Sequence, residues 1–206
     1  AWDSGEFDRE TISPNGSTRD ETVRAGTTPE KLSALPVAFQ DPDAEARFGP
    51  IEWKITAGNA SPYTDGASGV VIMSVDAAKR LGVQPRAKFS AFSVVGDDPI
   101  RMLRGVVPAT EMALKRAGMS ARDIDAFEVN EAFAPVPMLW ARDLGVEAER
   151  LNPRGGAIAL GHPLGASGTR LMTTLLHQLE DNDQSLGLQT MCEAGGMANA
   201  TIIERI

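Results

Sequence analysis

A loop rich in glycine surrounds one of the two histidines of this 206-residue chain. The stretch from Asn152 to Arg170 contains five glycines and a single histidine, His162. Glycine permits left-handed backbone angles and lets a ligand or another backbone segment come close, which a side chain would prevent. An imidazole can accept or donate a proton near neutral pH. The loop therefore predicts that His162 is a reactive group that something approaches.

Two common glycine-rich phosphate sites do not match this loop. A P-loop requires Lys followed by Ser or Thr after its last glycine, and here His162 and Pro163 follow Gly161. The spacing of the glycines also fails to give the G-x-G-x-x-G pattern of a dinucleotide site. Because the loop matches neither pattern, we expect it to serve chemistry at His162 rather than to bind a phosphate.

The second candidate for chemistry is Cys192, the only cysteine in the chain. A single cysteine excludes an internal disulfide and suits a reducing compartment. A thiol becomes a base or a nucleophile when nearby dipoles favour its thiolate. By itself, however, a lone cysteine near a strand is more often a small buried hydrophobe.

The elements around these residues predict a layered α/β fold with a mainly parallel sheet. Strands are expected at 88–95, 126–129, 184–192 and 198–206, the last two joined by a tight turn, with helices near Pro108 and after residues 134 and 166. Ligands in such sheets gather at the carboxyl ends of strands. Asn130 and Cys192 both fall at predicted strand ends, so we expect them to lie near one site.

The region before residue 76 is different in character. Residues 1–50 are polar and loop-rich, with one clear helical signal at Thr28–Leu32. Two strands are expected at 51–56 and 69–75, on either side of a turn-rich segment that contains Asn59 and Ser61.

Composition restricts the class of protein. The apolar share of 42% is that of a globular protein with a core, and the net charge of -8 argues against a nucleic-acid partner. The apolar runs are too short for a membrane span or a signal peptide. We expect a soluble, cytoplasmic protein.

Three short motifs in order carry a family resemblance. The segments NEAFA (130–134), GGAIALGHPLGASG (155–168) and CEAGG (192–196) resemble motifs of the thiolase superfamily. Two upstream segments, DETVRAGTTPEKL (20–32) and TAGNASPYTDGASGVVIMS (56–74), are also similar to thiolase segments. The resemblance implies a partial loop domain over 1–50, the last strands of an N-terminal half over 51–75, and a C-terminal thiolase domain over 76–206.

The resemblance also implies an activity, acyl exchange between 3-ketoacyl-CoA, CoA and acetyl-CoA. Within it, Cys192 would remove and return the proton on the α-carbon, and His162 would activate a nucleophilic thiol or donate to the thioester oxygen. Asn130 would hold a water at the first oxyanion site, and the backbone N–H of Ala194 would contribute to the second.

Binding of coenzyme A would involve Arg24, Ala57 and Ser61, with Arg24 meeting a phosphate or the adenine. CoA would be the substrate, with no other cofactor and no metal. Members of the family are dimers or tetramers, which implies a homo-oligomer.

Three features depart from the family pattern. Ala194 stands where glycine is usual, and Arg154 replaces an asparagine. In members of the family, the nucleophilic cysteine lies in the N-terminal half of the chain, whereas Cys192 matches a second cysteine in the C-terminal half. We therefore expect the nucleophile on a missing N-terminal portion and no turnover by this chain alone.

Other functions stay open on the sequence. A non-catalytic thiolase-like subunit could bind acyl-CoA or a partner. A β-ketoacyl synthase shares the superfamily fold but has a second histidine where this chain has Cys192, and no G-F-G-G-T-N hairpin occurs here. On general grounds, His162 could also be a buried structural histidine, and Asn130 could be a helix cap.

Overall fold

The computed structural model describes residues 1–13, 16–17 and 19–206; positions 14, 15 and 18 of the predicted loop region lie outside the described residues. Four strands form one sheet: β1 Ala87–Gly96, β2 Ala126–Val129, β3 Leu186–Glu193 and β4 Met197–Arg205. The α-helices are α1 Pro29–Ser33, α2 Pro42–Phe48, α3 Val75–Leu81, α4 Val106–Ala117, α5 Pro135–Leu144, α6 Ala157–Leu160 and α7 Ser167–Asp181. Short 3-10 helices occupy Met102–Gly105, Ala121–Asp123 and Ala148–Arg150.

The sheet has the strand order β1-β4-β3-β2, and only one of its three pairings is parallel. The pair β2/β3 is parallel, while β3/β4 and β4/β1 are antiparallel. The layered α/β fold is confirmed, but the prediction of a mainly parallel sheet is wrong. The tight turn that joins β3 to β4 forces an antiparallel pair, and β1 adds a second one along the other edge of β4.

Helices cover both faces of the sheet. On one face, α4 and α5 pack over a core that includes the fully buried Trp140 and Phe127, whose rings meet edge to face at 4.9 Å. The indole N–H of Trp140 donates to Thr110 Oγ1 at 2.9 Å, so this large ring is buried without losing a hydrogen bond. On the other face, Leu175 and Leu179 of α7 pack against the sheet. The result is a helix–sheet–helix sandwich.

The helix boundaries follow local sequence signals. Gly82, Gly118 and Gly145 end α3, α4 and α5 in the left-handed conformation. The predicted helix after the glycine loop forms as α7, and its leucines at 171, 175 and 179, which recur every four residues, are fully buried on one face.

The region before residue 76 differs from the prediction in two ways. Residues 51–56 and 69–75 do not form strands: Thr56 makes a single bridge to Val37, and α3 begins at Val75. A strand requires a neighbour to satisfy its backbone, and no described residue pairs with 69–74, where Val71 is 86% exposed. Conversely, α2 is a helix that the sequence analysis missed, although Asp41 caps it and Pro42 opens it.

Candidate active site

The carboxyl ends of the parallel strands β2 and β3 place two of the predicted site residues near each other. Asn130 follows β2, and its backbone N–H donates to the carbonyl of Thr190 on β3 at 3.0 Å. Cys192 lies two residues beyond Thr190 on the same strand. The expectation that Asn130 and Cys192 fall at the same end of the sheet agrees with this register.

His162 lies beside Asn130. The Nε2 atom of His162 is 3.5 Å from the amide nitrogen of Asn130, and the Nδ1 atom is 2.6 Å from the hydroxyl of Ser167. The Ser167 hydroxyl donates its only proton to the carbonyl of Pro163 at 3.0 Å. With this hydroxyl donating to Pro163 and the Asn130 amide nitrogen a donor beside Nε2, the contacts favour the tautomer that has its proton on Nδ1 and its lone pair on Nε2, on the side of Asn130.

Burial and charge keep this imidazole neutral. The pKa of His162 is lowered from its ordinary value, first by burial and then by the positive charge of Arg170. A neutral ring with its Nδ1 proton engaged is a base at Nε2. The arrangement can take a proton from a group that lies next to Asn130.

The loop that carries His162 is held by the segment at 62–64. The backbone N–H of His162 donates to Thr64 Oγ1 at 2.7 Å and to the carbonyl of Pro62. A side chain at Gly161 would overlap Thr64, and Gly161 has a φ of +85°. Glycine is thus required there for a close approach, as the sequence indicated.

Glu131 anchors the beginning of the same loop. Its carboxylate accepts from Asn152 Nδ2 at 2.8 Å and from the backbone N–H of Ile158 at 3.1 Å. A Cβ at Gly156 would collide with this carboxylate. Asn152 also bonds both backbone groups of Val129, so the loop is joined to the end of β2.

Cys192 is buried on the side of the sheet that faces α4 and α5, with 8% of its surface exposed. Burial raises the pKa of its thiol to about 11, although a backbone hydrogen bond opposes the rise. In this structure, the effect of burial on the thiol pKa is larger than the effect of the nearby backbone dipole. Among the hydrogen bonds of the described residues, none joins Cys192 to His162 or Asn130.

The turn after Cys192 accepts alanine without strain. Gly195 and Gly196 have φ of +82° and +86°, whereas Ala194 is not among the residues with positive φ. Ala194 is an exposed residue. The substitution of the usual glycine leaves this turn intact.

Arg154 also has a structural explanation. Its guanidinium is buried and donates to Asp181 at 2.6 Å, to Gln178 at 3.1 Å and to the carbonyls of Glu6 and His177. The residue ties the start of the His162 loop to α7 and to the N-terminal segment.

The three residues expected to bind CoA lie in different settings. Ser61 donates to the carbonyl of Ala132 through its backbone N–H at 3.0 Å and its hydroxyl at 3.2 Å, which docks the turn at 56–64 beside Asn130. Ala57 is exposed on the same turn. Arg24 is exposed, and its guanidinium has no partner among the hydrogen bonds and ion pairs of the described residues.

Sequence reasoning missed four residues of the site. Ser167, Thr64 and Glu131 lie inside segments that resemble thiolase motifs, and Asn152 lies just before one of them. Only the structure reveals that these side chains hold His162 and its loop. Within the part of the chain that the structure describes, no cluster of three or more His, Cys, Asp and Glu side chains could hold a metal ion, and no helix is long and apolar enough to cross a membrane.

Comparison with known proteins places this geometry in a family. The chain matches the model "Thiolase, N-terminal domain" over residues 1–76 and the model "Thiolase, C-terminal domain" over residues 83–205. The chain belongs to the thiolase family. Among curated thiolases, the 3-ketoacyl-CoA thiolase of Aeromonas hydrophila is 48% identical over 191 residues, covering 91% of this chain and 47% of that protein. The 3-ketoacyl-CoA thiolase of Citrobacter koseri is 44% identical over 218 residues, covering 100% of this chain and 54% of that protein.

Solved thiolase structures share the fold. The acetyl-CoA acetyltransferase of Bacillus anthracis superposes with a TM-score of 0.87 at 35% identity, covering 99% of this chain and 51% of that one. The human mitochondrial 3-ketoacyl-CoA thiolase in complex with CoA gives a TM-score of 0.86 at 37% identity, covering 99% and 50%. The chain thus spans about half the length of the thiolases that it matches.

Proposed function

We propose that these 206 residues form the acid–base part of a thiolase-type acyltransferase. The proposed reaction exchanges acyl groups between 3-ketoacyl-CoA, CoA and acetyl-CoA, by thiolytic cleavage or by the reverse condensation. A nucleophilic cysteine from outside these residues completes the site. In the proposed domain scheme, residues 1–50 belong to a loop domain, 51–75 to the end of the N-terminal half and 76–206 to the C-terminal domain.

In the cleavage direction, each proton has a proposed donor and acceptor. His162 Nε2 takes the proton of the nucleophilic thiol, and the thiolate attacks the keto carbon of the substrate. The bond between carbons 2 and 3 breaks, leaving an acyl-enzyme thioester and the enolate of acetyl-CoA. Cys192 gives its thiol proton to the enolate carbon, and its thiolate then takes the thiol proton of CoA. The CoA thiolate attacks the acyl-enzyme and forms the new acyl-CoA, while the nucleophilic cysteine leaves and takes back the proton from His162.

The observation that carries this proposal is the tautomer of His162 that its contacts with Ser167 and Asn130 favour. The bond from Nδ1–H to Ser167 leaves a basic Nε2 beside Asn130, as proton removal from a thiol requires. The raised pKa of Cys192 supports a resting thiol that begins cleavage as the acid. Asn130, whose buried Oδ1 has no hydrogen-bond partner among the described residues, would hold a water at the first oxyanion site. The backbone N–H of Ala194 would serve the second oxyanion.

The proposal is tested by supplying the missing half. The N-terminal half of the Aeromonas hydrophila relative is fused ahead of this chain, and thiolysis of acetoacetyl-CoA with CoA is measured for the fusion and for the isolated chain. We expect the fusion to turn over and the isolated chain to be inactive. In the fusion, His162→Asn and Cys192→Ser should each lower the rate of thiolysis by at least about 1000-fold.

His177→Asn is the matched control, because His177 is bonded to Thr173 and Arg86 rather than to the site. A folded control should keep activity within a few fold. Turnover by the isolated chain, or full activity of a fusion that carries Cys192→Ser, would contradict the assigned roles.

A second function, CoA binding without turnover by the chain itself, is favoured by the exposed Arg24 and by the turn that carries Ala57 and Ser61. In this proposal CoA is a substrate, and no other cofactor is involved. Calorimetric titration of the chain with CoA, together with the thiolysis assay of the fusion, distinguishes the two functions. If the chain binds CoA but the fusion shows no thiolysis, only the second function is supported. The assignment to the cytoplasm stays a prediction.

We also propose that the protein is a homodimer or homotetramer. The strand β1 is an edge of the sheet, and its Phe92 and Val94 are 65% and 64% exposed. Exposed apolar edges of this kind are normally covered by another chain or segment. Light scattering on the fusion should give a mass of two or four copies; a monomer would contradict this proposal.

A further inference from the structure

One short segment connects the two parts of the site. Residues 59–68, which we call the bridging segment, contact residues 132–134 after β2 and residues 161–166 of the His162 loop. The direct contact between the two parts is long, at 3.5 Å between Nε2 of His162 and the amide nitrogen of Asn130. A contact of this length holds neither group firmly, so their spacing depends on what supports their backbones.

The first half of the bridging segment is fixed to the residues that follow β2. The backbone N–H and the hydroxyl of Ser61 both donate to the carbonyl of Ala132, at 3.0 and 3.2 Å. The backbone N–H of Ala134 donates to the carbonyl of Asn59 at 2.9 Å, and the residues between these bonds pair as an antiparallel bridge. This half is therefore one unit with the segment that begins at Asn130.

The second half of the bridging segment is fixed to the His162 loop. The hydroxyl of Thr64 accepts from the backbone N–H of His162 at 2.7 Å and donates to the carbonyl of Pro62 at 3.1 Å, so both of its hydrogen-bonding roles are used. The same N–H of His162 also approaches the Pro62 carbonyl, at 3.2 Å. Farther along, the hydroxyl of Ser68 donates to the carbonyl of Ala166 at 2.6 Å. The loop is thus held at His162 itself and again just before α7.

Two glycines let the bridging segment and the loop come this close. A Cβ at Gly161 would lie 2.2 Å from Oγ1 of Thr64, and a Cβ at Gly66 would lie 2.9 Å from Cγ of Pro163. One of these glycines is on each segment, so the two backbones pack with no room for an added group. A change in the size of the side chain at position 64 must therefore move the loop.

The other connection between the two parts of the site is farther from the imidazole. Glu131 accepts from the backbone N–H of Ile158, four residues before His162 in the chain. Gly161, with its φ of +85°, lies between these two positions and lets the backbone turn. The anchor at Ile158 leaves the backbone position of His162 to the contacts of that residue with the bridging segment.

We propose that Thr64 is a positioning residue for His162, and that the bridging segment sets the distance between Nε2 of His162 and Asn130. Ser61, which is expected to bind CoA, belongs to the same segment, so the part of the chain that meets the substrate also aligns the base. Misplacement of a reacting group by about 1 Å lowers a rate on the order of 100-fold. The effect on turnover rests on the proposed function, whereas the placement of His162 by Thr64 does not.

Hydrogen exchange of single backbone amides in the 206-residue chain tests the placement. Thr64→Val puts a methyl group where Oγ1 is 2.7 Å from the His162 nitrogen, and a methyl group needs roughly 3.5 Å, so the loop must move away. We expect the His162 amide to exchange about tenfold faster, or more, than in the wild type. The Asn152 amide, which donates to the carbonyl of Phe127 at the start of the same loop, should keep its rate.

Thr64→Ser keeps the hydroxyl and should restore slow exchange at His162. Thr64→Ala removes the hydroxyl without adding bulk; it should also speed exchange at His162, and it covers the case in which the valine variant does not fold. Thr173→Val is the matched control, because the Thr173 hydroxyl bonds within α7, and it should leave both amides unchanged. An unchanged His162 amide in the valine and alanine variants, equal acceleration of the Asn152 amide, or fast exchange in Thr64→Ser would overturn the proposal.

Kinetics of the fusion separate positioning from binding. We expect Thr64→Val to lower kcat for thiolysis by roughly 10- to 100-fold and to change KM for CoA by less than about threefold, with recovery of kcat in Thr64→Ser. A raised KM with an unchanged kcat would mean that Thr64 serves CoA binding, and it would overturn the proposal. If the wild-type fusion shows no thiolysis, the proposed function fails, and the exchange rates of the isolated chain still decide the placement of His162.

Discussion

At the level of single residues, the acid–base character of the site depends on a hydroxyl that no motif assigned. Ser167 is fully buried and accepts from His162 Nδ1 while donating to Pro163. This pair of bonds favours the tautomer in which Nε2 is the basic nitrogen of the ring.

Replacing Ser167 with alanine should release the tautomer of His162. We expect ¹⁵N chemical shifts that report a mixture of tautomers, and about a tenfold or greater loss of thiolysis in the fusion, because part of the enzyme would carry its proton on the wrong nitrogen. Ser93→Ala is the matched control, since Ser93 is equally buried and bonds a carbonyl on the other face of the sheet. Unchanged shifts in Ser167→Ala would contradict the role given to this hydroxyl.

The single thiol gives a second prediction at this scale. Because burial raises the pKa of Cys192 to about 11, little thiolate is present at pH 8. Alkylation by iodoacetamide should be on the order of 10- to 100-fold slower for the folded chain than for the chain in denaturant. Equal rates, followed by intact mass, would mean that the thiol is exposed or activated.

At the level of elements, the His162 loop is held by contacts that only glycine permits. Gly156 lies against the carboxylate of Glu131, the residue that follows Asn130. This carboxylate accepts from the backbone N–H of Ile158 and so joins the loop to the end of β2. The loop and the end of β2 are thus one unit.

Gly156→Ala should break that unit. The added Cβ displaces Glu131, so we expect the free energy of unfolding to fall by about 2 to 4 kcal/mol in urea titrations. Gly165 is the control, because a Cβ there meets no atom within 4 Å and its φ lies outside the left-handed region. If Gly156→Ala is as stable as Gly165→Ala, Glu131 does not anchor the loop.

Local signals in the sequence predicted most of the elements but not their pairing. Alternation and turn residues were sufficient for β1 to β4, and the glycine caps marked the helix ends. Which strands are neighbours depends on long-range packing, so the parallel character of the sheet was overestimated. The segment at 69–74 has strand-like residues and no partner, and propensity cannot replace a missing neighbour.

The candidate site likewise has features that local sequence signals predict and features that depend on long-range packing. The motifs pointed to His162, Asn130 and Cys192, and the structure places Asn130 against His162. The thiol pKa and the buried Arg154 network could not be predicted, because both depend on burial by segments distant in sequence.

At the level of the whole molecule, the N-terminal segment is joined to α7 by buried charged groups, and this makes stability depend on pH. The side chain of Glu10 is 5% exposed, and burial raises its pKa to about 7. A raised carboxyl pKa means that the folded state binds the proton more tightly, so its contribution is complete below pH 4.5 and is lost as pH rises through about 7.

Glu10→Gln replaces the carboxyl group with a neutral amide, so the folded state no longer has to bury a negative charge at high pH. We expect the variant to be more stable than the wild type at pH 8, on the order of 2 kcal/mol, and to show no such gain at pH 4.5. Urea unfolding at the two pH values measures the difference, with the exposed Glu149→Gln as control. A gain of equal size at both pH values would contradict the assigned shift.

The central claim is that residues from four segments surround one thioester at the carboxyl ends of β2 and β3. Titration of ¹⁵N-labelled chain with acetyl-CoA tests it most directly. The account predicts joint shifts in the amide signals of Ser61, Asn130, His162 and Ala194, together with the side-chain amide of Asn130. Saturable shifts confined to other parts of the chain, with these signals unmoved, would contradict it.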